Sequence, residues 1–180
     1  MSLANKISIF RILLVPGIVA SLVYYDEQRE VLRFVTLGLF ILGIASDAID
    51  GFVARTQNQQ SQLGTLLDPV ADKFLILGTL ISLSAIRGLP QAMQIPAWFN
   101  LVVISRDVLL LSGAALLFMI TGRWSVRPSR LGKWTTALQM LVVLSVLLEW
   151  PLRDPLVVLV ALLTVLSGFS YVRAGIRALD

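Results

Sequence analysis

The chain has 180 residues, 57% of them apolar and 14% charged, with a mean hydropathy of +0.83 and a formal charge of +4. Soluble domains carry roughly 25% charged residues, so this composition excludes a disordered, collagen-like or disulfide-stapled chain and points to lipid as the main solvent. Neither His nor Cys is present, which excludes thiolate nucleophiles, zinc–sulfur sites and imidazole bases and leaves chemistry to carboxylates, Lys and Arg, hydroxyls and backbone.

Apolar segments fall at 7–25, 31–53, 66–86, 95–120, 131–148 and 155–172, separated by polar or Gly/Pro-containing breaks. A bilayer is crossed by about 20 apolar residues, so the pattern predicts an all-α polytopic integral membrane protein with about six transmembrane helices, forming a single membrane-embedded domain over 1–180. Ahead of the first span, Leu3, Ile7 and Phe10 recur at helical spacing, which predicts a short N-terminal interfacial helix over 2–11. No small-x-small cleavage site precedes Asp26, and Pro16-Gly17 sit mid-segment, so the first span is expected to be retained rather than cleaved as a signal peptide.

With the N-terminus in the cytoplasm, that side receives Lys6, Arg11, Arg55, Arg123, Arg127, Arg130, Lys133, Arg173 and Arg177, and the other side only Arg29, Arg33, Arg87 and Arg153. The positive-inside rule therefore places both termini in the cytoplasm. The basic excess is read as topology and attraction to anionic headgroups, and no nucleic-acid partner is expected.

Several charges fall inside or at the ends of the apolar segments: Asp47, Asp50, Asp68, Asp72, Lys73, Arg106 and Asp107. An ionised carboxylate at mid-membrane costs about 2.5–3.5 kcal/mol on insertion scales, so a cluster of them calls for a function. On a helix Asp47, Asp50, Gly51 and Ala54 share one face, as do Gly64, Asp68 and Asp72. Two antiparallel helices joined through 56–62 would turn these stripes toward each other. Converging aspartates cannot all stay ionised without counter-cations, and an oxygen-only donor set suits one or two Mg²⁺-type ions. Gly51, Ala54 and Gly64 would leave room for a pyrophosphate or nucleotide, and Arg55 is placed to hold a phosphate with two parallel hydrogen bonds.

The string D-x2-D-G-x2-A-R-x8-G-x3-D-x3-D, complete from Asp47 to Asp72, resembles the signature of the CDP-alcohol phosphatidyltransferase family. Residues 5–11, Asn-Lys-Ile-Ser-Ile-Phe-Arg, look like the family's N-terminal P-N-x2-T-x2-R segment, with Ala4 in place of its proline and Ser8 in place of its threonine. The resemblance implies transfer of the phosphatidyl group of CDP-diacylglycerol to an alcohol, with release of CMP. It implies that Asp47, Asp50, Asp68 and Asp72 bind Mg²⁺ or Mn²⁺, two ions in all, that Asp72 is also the general base, and that Gly51, Ala54, Arg55 and Gly64 contact the CDP moiety. It further implies a homodimer, and a cytoplasm-facing site in a bacterial inner membrane is the expected setting.

Arg106, Lys133, Arg127 and Arg130 form a basic set suited to an anionic alcohol acceptor; the bland reading pairs Arg106 with an aspartate and leaves the loop arginines on headgroups. Glycerol 3-phosphate is the expected acceptor, since the chain most resembles the family's phosphatidylglycerophosphate-forming members. Those members tend to carry G-K-x-K-T-x2-Q, and here Gly132-Lys133-Trp134-Thr135-Thr136-Ala137-Leu138-Gln139 has Thr135 at the second lysine. Ser105-Arg106-Asp107 and Arg127-Pro128-Ser129 look similar to the family's cardiolipin-forming members, which makes phosphatidylglycerol the alternative acceptor. A cation transporter would also carry intramembrane aspartates, but it gives no reason for Gly51, Ala54, Arg55 and Gly64 at these spacings.

Overall fold

The computed structural model describes residues 3–57, 62–121 and 130–177. Its long elements are α1 (Leu3–Val23), α2 (Val31–Gln57), α3 (Gln62–Ala85), α4 (Ala97–Thr121), α5 (Arg130–Leu147) and α6 (Arg153–Arg177), with single 3₁₀ turns at Glu27–Arg29 and Gln91–Met93. No strand occurs among the described residues, so the fold is all-α as expected. The interfacial helix expected over 2–11 is not a separate element. No Gly or Pro separates it from the first apolar segment, so it forms the opening turns of α1, which continues unbroken through Pro16. Two stretches, Gln91–Leu116 and Arg153–Arg173, are long and apolar enough to cross a membrane, and Ile7–Val23 and Leu131–Leu147 are shorter apolar stretches.

The helices pack as two compact units, Met1–Ile95 and Pro96–Asp180. In the first, α1 is the hub, packed along both α2 and α3, while α2 and α3 touch each other little. The face of α1 that makes this possible runs Ser8, Arg11, Leu14, Ile18, Ser21 and Leu22, all buried, at the three- and four-residue spacing that keeps side chains on one side of a helix. Small residues allow close approach. A Cβ added at Gly78 would lie 2.7 Å from Val15 Cγ1, and one at Gly43 would lie 2.5 Å from Leu75 Cδ2. The hydroxyls of Ser21 and Thr36 lie 2.7 Å apart and link α1 to α2 through a buried hydrogen bond.

In the second unit α6 is the hub, packed against α4 and α5. Thr164, Ser167, Gly168 and Tyr171 form a helical stripe that meets both neighbours. Gln139 of α5 donates to the Thr164 hydroxyl at 3.4 Å, Arg106 of α4 donates to Ser167 at 3.1 Å, and the Tyr171 hydroxyl donates to the Leu110 carbonyl at 3.0 Å. The C-terminus of α5 closes with Trp150 N–H on the Ser145 carbonyl and Glu149 N–H on the Val146 carbonyl, with Glu149 in the left-handed region at φ 52°. This is the paired bonding of a Schellman cap, which turns the chain into α6.

Val15 is β-branched and stiff, so Gly78→Leu is expected to destabilise the first unit by about 1–3 kcal/mol through overpacking. No atom lies within 4 Å of a Cβ at Gly38, so Gly38→Ala is expected to be neutral or to stabilise by up to about 1 kcal/mol through helix propensity. Thermal melts of the two variants in detergent check the contrast.

Candidate functional site

Both halves of the aspartate motif lie on helices. Positions 47 to 55 occupy the last turns of α2 and positions 64 to 72 the opening turns of α3, so the two stripes predicted from spacing have the backbone they require. The side chains of Asp50, Gly51, Ala54, Arg55, Gly64 and Asp68 lie outside the described portion. Asp47 and Asp72, at the two ends of the motif, are described.

These two carboxylates converge on one guanidinium. Arg11 of α1 has no solvent exposure; its Nη2 lies 3.3 Å from Asp47 Oδ1, and its Nη1 donates to Asp72 Oδ1. One side chain thus ties α1 to α2 and to α3 where the sequence places the functional carboxylates. The aspartates are not sealed in, since Asp47 keeps 42% of its side-chain surface exposed and Asp72 keeps 28%. Arg11 Nε and Nη2 are both buried without a hydrogen-bond acceptor, so the contact to Asp47 is an ion pair rather than a hydrogen bond. A guanidinium enclosed in this way depends on the carboxylates beside it, because an unpaired buried charge is costly.

Among the described residues no three carboxylates close around one point. The donor chemistry nonetheless fits a hard divalent cation: two carboxylates from different helices, each partly open, in a chain without nitrogen or sulfur ligands from His or Cys.

In the second unit Arg106 and Asp107 are both buried, and Arg106 Nη1 donates to Asp107 Oδ1 at 2.8 Å while its Nη2 reaches Ser167. Arg106 is therefore paired with its own neighbour in the chain, and its stem also lines an apolar groove of about 380 Å³ between α4 and α6, with Ser105, Leu109, Thr164 and Phe169 among the other walls. Lys133 is exposed on the first turn of α5. Arg127 and the side chain of Arg130 lie outside the described residues. Thr135, at the position of the second lysine, is buried and donates to the Leu131 carbonyl at 2.7 Å, and Gln139 is the buried tie to α6.

The sequence reading did not assign Arg11 or Ser167 to any site. For Arg11 a signal was available, because a cation sits at helical spacing in the stripe from Ser8 to Ile18. Asp107 was noted as a misplaced charge but given no partner.

Comparison with known proteins identifies the family. The family model described as CDP-alcohol phosphatidyltransferase matches residues 1–169. The chain is 32% identical to a probable phosphatidylglycerophosphate synthase of Mycobacterium tuberculosis, over 98% of this chain and 82% of that protein. It is 32% identical to the CDP-diacylglycerol–glycerol-3-phosphate 3-phosphatidyltransferase of Bacillus subtilis, over 99% of this chain and 97% of that one. A Schizosaccharomyces pombe fusion of a CMP-forming cardiolipin synthase with a mitochondrial hydrolase is 30% identical over 94% of this chain and 30% of its own length. The chain belongs to the CDP-alcohol phosphatidyltransferase family. Members act on CDP-diacylglycerol and an alcohol acceptor, use divalent metal ions and are membrane-associated.

Removing the guanidinium in Arg106→Met leaves Asp107 buried without it, and the expected loss is about 3 kcal/mol of stability. Lys133→Ala, at an exposed position, is expected to stay within about 0.5 kcal/mol of wild type. Chemical denaturation of the purified variants measures both.

Proposed function

We propose that this chain is a CDP-diacylglycerol–glycerol-3-phosphate 3-phosphatidyltransferase, which forms phosphatidylglycerophosphate and releases CMP. The observation that carries the reading is the pairing of Asp47 and Asp72, the two ends of the eight-position motif, at one buried guanidinium. The full-length similarity to relatives named for this reaction supports the same acceptor.

In the proposed mechanism a hydroxyl of glycerol 3-phosphate attacks the phosphorus that carries diacylglycerol. A new P–O bond forms, the bond to the CMP phosphate breaks, and CMP leaves with the electron pair. Asp72 takes the hydroxyl proton. Its side chain is partly exposed, and Arg11 donates to its Oδ1 from the buried side. Asp47, Asp50, Asp68 and Asp72 would hold two Mg²⁺ or Mn²⁺ ions, which when bound offset charge on the diphosphate and the leaving group. Gly51, Ala54 and Gly64 would admit the CDP moiety beside the helix backbones, with Arg55 on a phosphate. Arg106, Lys133, Arg127 and Arg130 are the proposed acceptor set.

We place the protein in a bacterial inner membrane as six spans forming one catalytic domain, with site and termini cytoplasmic, and as a homodimer. Large apolar side chains on the exterior, together with polar groups buried among the apolar core, support the membrane setting. Buried positions include Arg11, Thr36, Thr79, Asn100, Arg106, Gln139 and Thr164, while Leu101, Leu111, Met119, Leu162 and Phe169 are exposed. A phosphatidylglycerol acceptor is the second reading, favoured by the fission-yeast relative and by the Ser105-Arg106-Asp107 string.

Purified protein given CDP-diacylglycerol, Mg²⁺ and glycerol 3-phosphate is expected to release CMP, and Asp72→Asn to lose at least about 100-fold in kcat, the scale of a general base. Absence of release from wild type with any alcohol acceptor would refute the reading. Lys133→Ala is expected to raise KM for glycerol 3-phosphate far more than KM for CDP-diacylglycerol; an equal loss for both would remove Lys133 from the acceptor set.

A further inference from the structure

We infer that Arg11 is a positioning residue for the transfer reaction: from α1 it sets the spacing and orientation of the Asp47 and Asp72 carboxylates on α2 and α3. The inference rests on the proposed role of those two aspartates.

Arg11 cannot touch substrate, because it is fully enclosed, whereas both carboxylates it grips remain partly open. It therefore lies behind the carboxylates and acts through them. Among the described residues α2 and α3 pack less against each other than either does against α1. Helix packing and the Ser21–Thr36 hydrogen bond hold the helices together but do not orient the carboxylate oxygens of Asp47 and Asp72. The guanidinium reaches both, with Nη1 donating to Asp72 on α3 and Nη2 in an ion pair 3.3 Å from Asp47 on α2.

Stability alone does not account for an arginine here. Its Nε and Nη2 are buried without a hydrogen-bond acceptor, and a buried charged group with unmet donors is often less stable than a well-packed apolar side chain of similar volume. Arg11 and its two aspartates sum to a charge of −1. Both carboxylates are partly open on the side away from Arg11's enclosure, where a divalent cation and a hydroxyl proton would be received. A sequence cue agrees: Arg11 is the last position of the N-terminal segment 5–11, in a stripe that is otherwise Ser8, Leu14 and Ile18.

The test uses Arg11→Lys in the full chain, purified in detergent. Lysine keeps the charge but offers one compact ammonium in place of a two-ended fork, so the electrostatic environment is held while the geometry is lost. Mn²⁺ binding is followed by electron paramagnetic resonance of the free ion, and steady-state kinetics by CMP release. The expected result is a Mn²⁺ dissociation constant raised about fivefold or more and a kcat lowered about tenfold or more, with KM for CDP-diacylglycerol changed by less than about threefold. In an Asp72→Asn background the same substitution is expected to weaken Mn²⁺ binding by a smaller factor than in wild type, because one of the two carboxylates it positions is already altered.

Arg11→Met serves as the second variant, and thermal melting of all variants separates unfolding from repositioning. If Arg11→Lys melts lower but keeps Mn²⁺ affinity and kcat within about twofold of wild type, Arg11 is a structural staple and the inference is overturned. If Arg11→Met matches wild type in both, the inference is overturned as well. Failure of the underlying reading appears elsewhere, in a wild type that binds no Mn²⁺ or an Asp72→Asn variant that still releases CMP at the wild-type rate.

Discussion

A guanidinium with no access to solvent must keep its carboxylates, and that requirement organises the first half of this protein. Once Arg11 is placed on the buried face of α1, Asp47 and Asp72 have to arrive beside it, and the register of α2 and α3 along α1 is set by their arrival. Apolar packing alone would tolerate sliding of one helix past another. Buried ion pairs do not, because removing one partner leaves a charge that the interior cannot solvate. The glycines at 43 and 78 fit the same constraint, as they let the neighbouring helices close in until the charges meet.

The second unit uses polar ties in a similar way, with α6 as the receiving helix. Arg106, Gln139 and the hydroxyls of Thr164 and Ser167 are buried between helices. Serine and threonine donors with no lateral partner bond the carbonyl three or four residues back, as Thr79, Ser82 and Thr135 do. Where the surroundings are hydrocarbon, apolar burial supplies little drive for helices to associate, and small residues with interhelical hydrogen bonds take its place. The buried polar ties between helices and the many exposed large apolar side chains seen here fit that logic.

Much of this was legible in the residues. The six apolar segments became six helices, and the two aspartate stripes rest on helices whose backbones carry the predicted periodicity. Lys6 and Ser8 look interfacial in sequence, yet nothing in 3–11 breaks a helix, so α1 is continuous. Helix α3 begins at Gln62, ahead of the apolar run, since the polar residues there tolerate helix as well as loop. Periodicity could place Arg11 on a face but could not say which residues that face meets, because this depends on how α1 lies against two distant helices. The Arg106–Asp107 pair was hidden for another reason: adjacent helical residues point in different directions, and only the length of the arginine lets it fold back onto its neighbour.

The central claim, transfer of a phosphatidyl group to glycerol 3-phosphate, is tested most directly by following the label in a competition. Purified protein in vesicles containing CDP-diacylglycerol and phosphatidylglycerol would be given Mg²⁺ and isotopically labelled glycerol 3-phosphate, and the extracted lipids resolved by mass spectrometry. The account predicts labelled phosphatidylglycerophosphate, formed in step with CMP, and no cardiolipin. Cardiolipin with no label in the lipid fraction would contradict it.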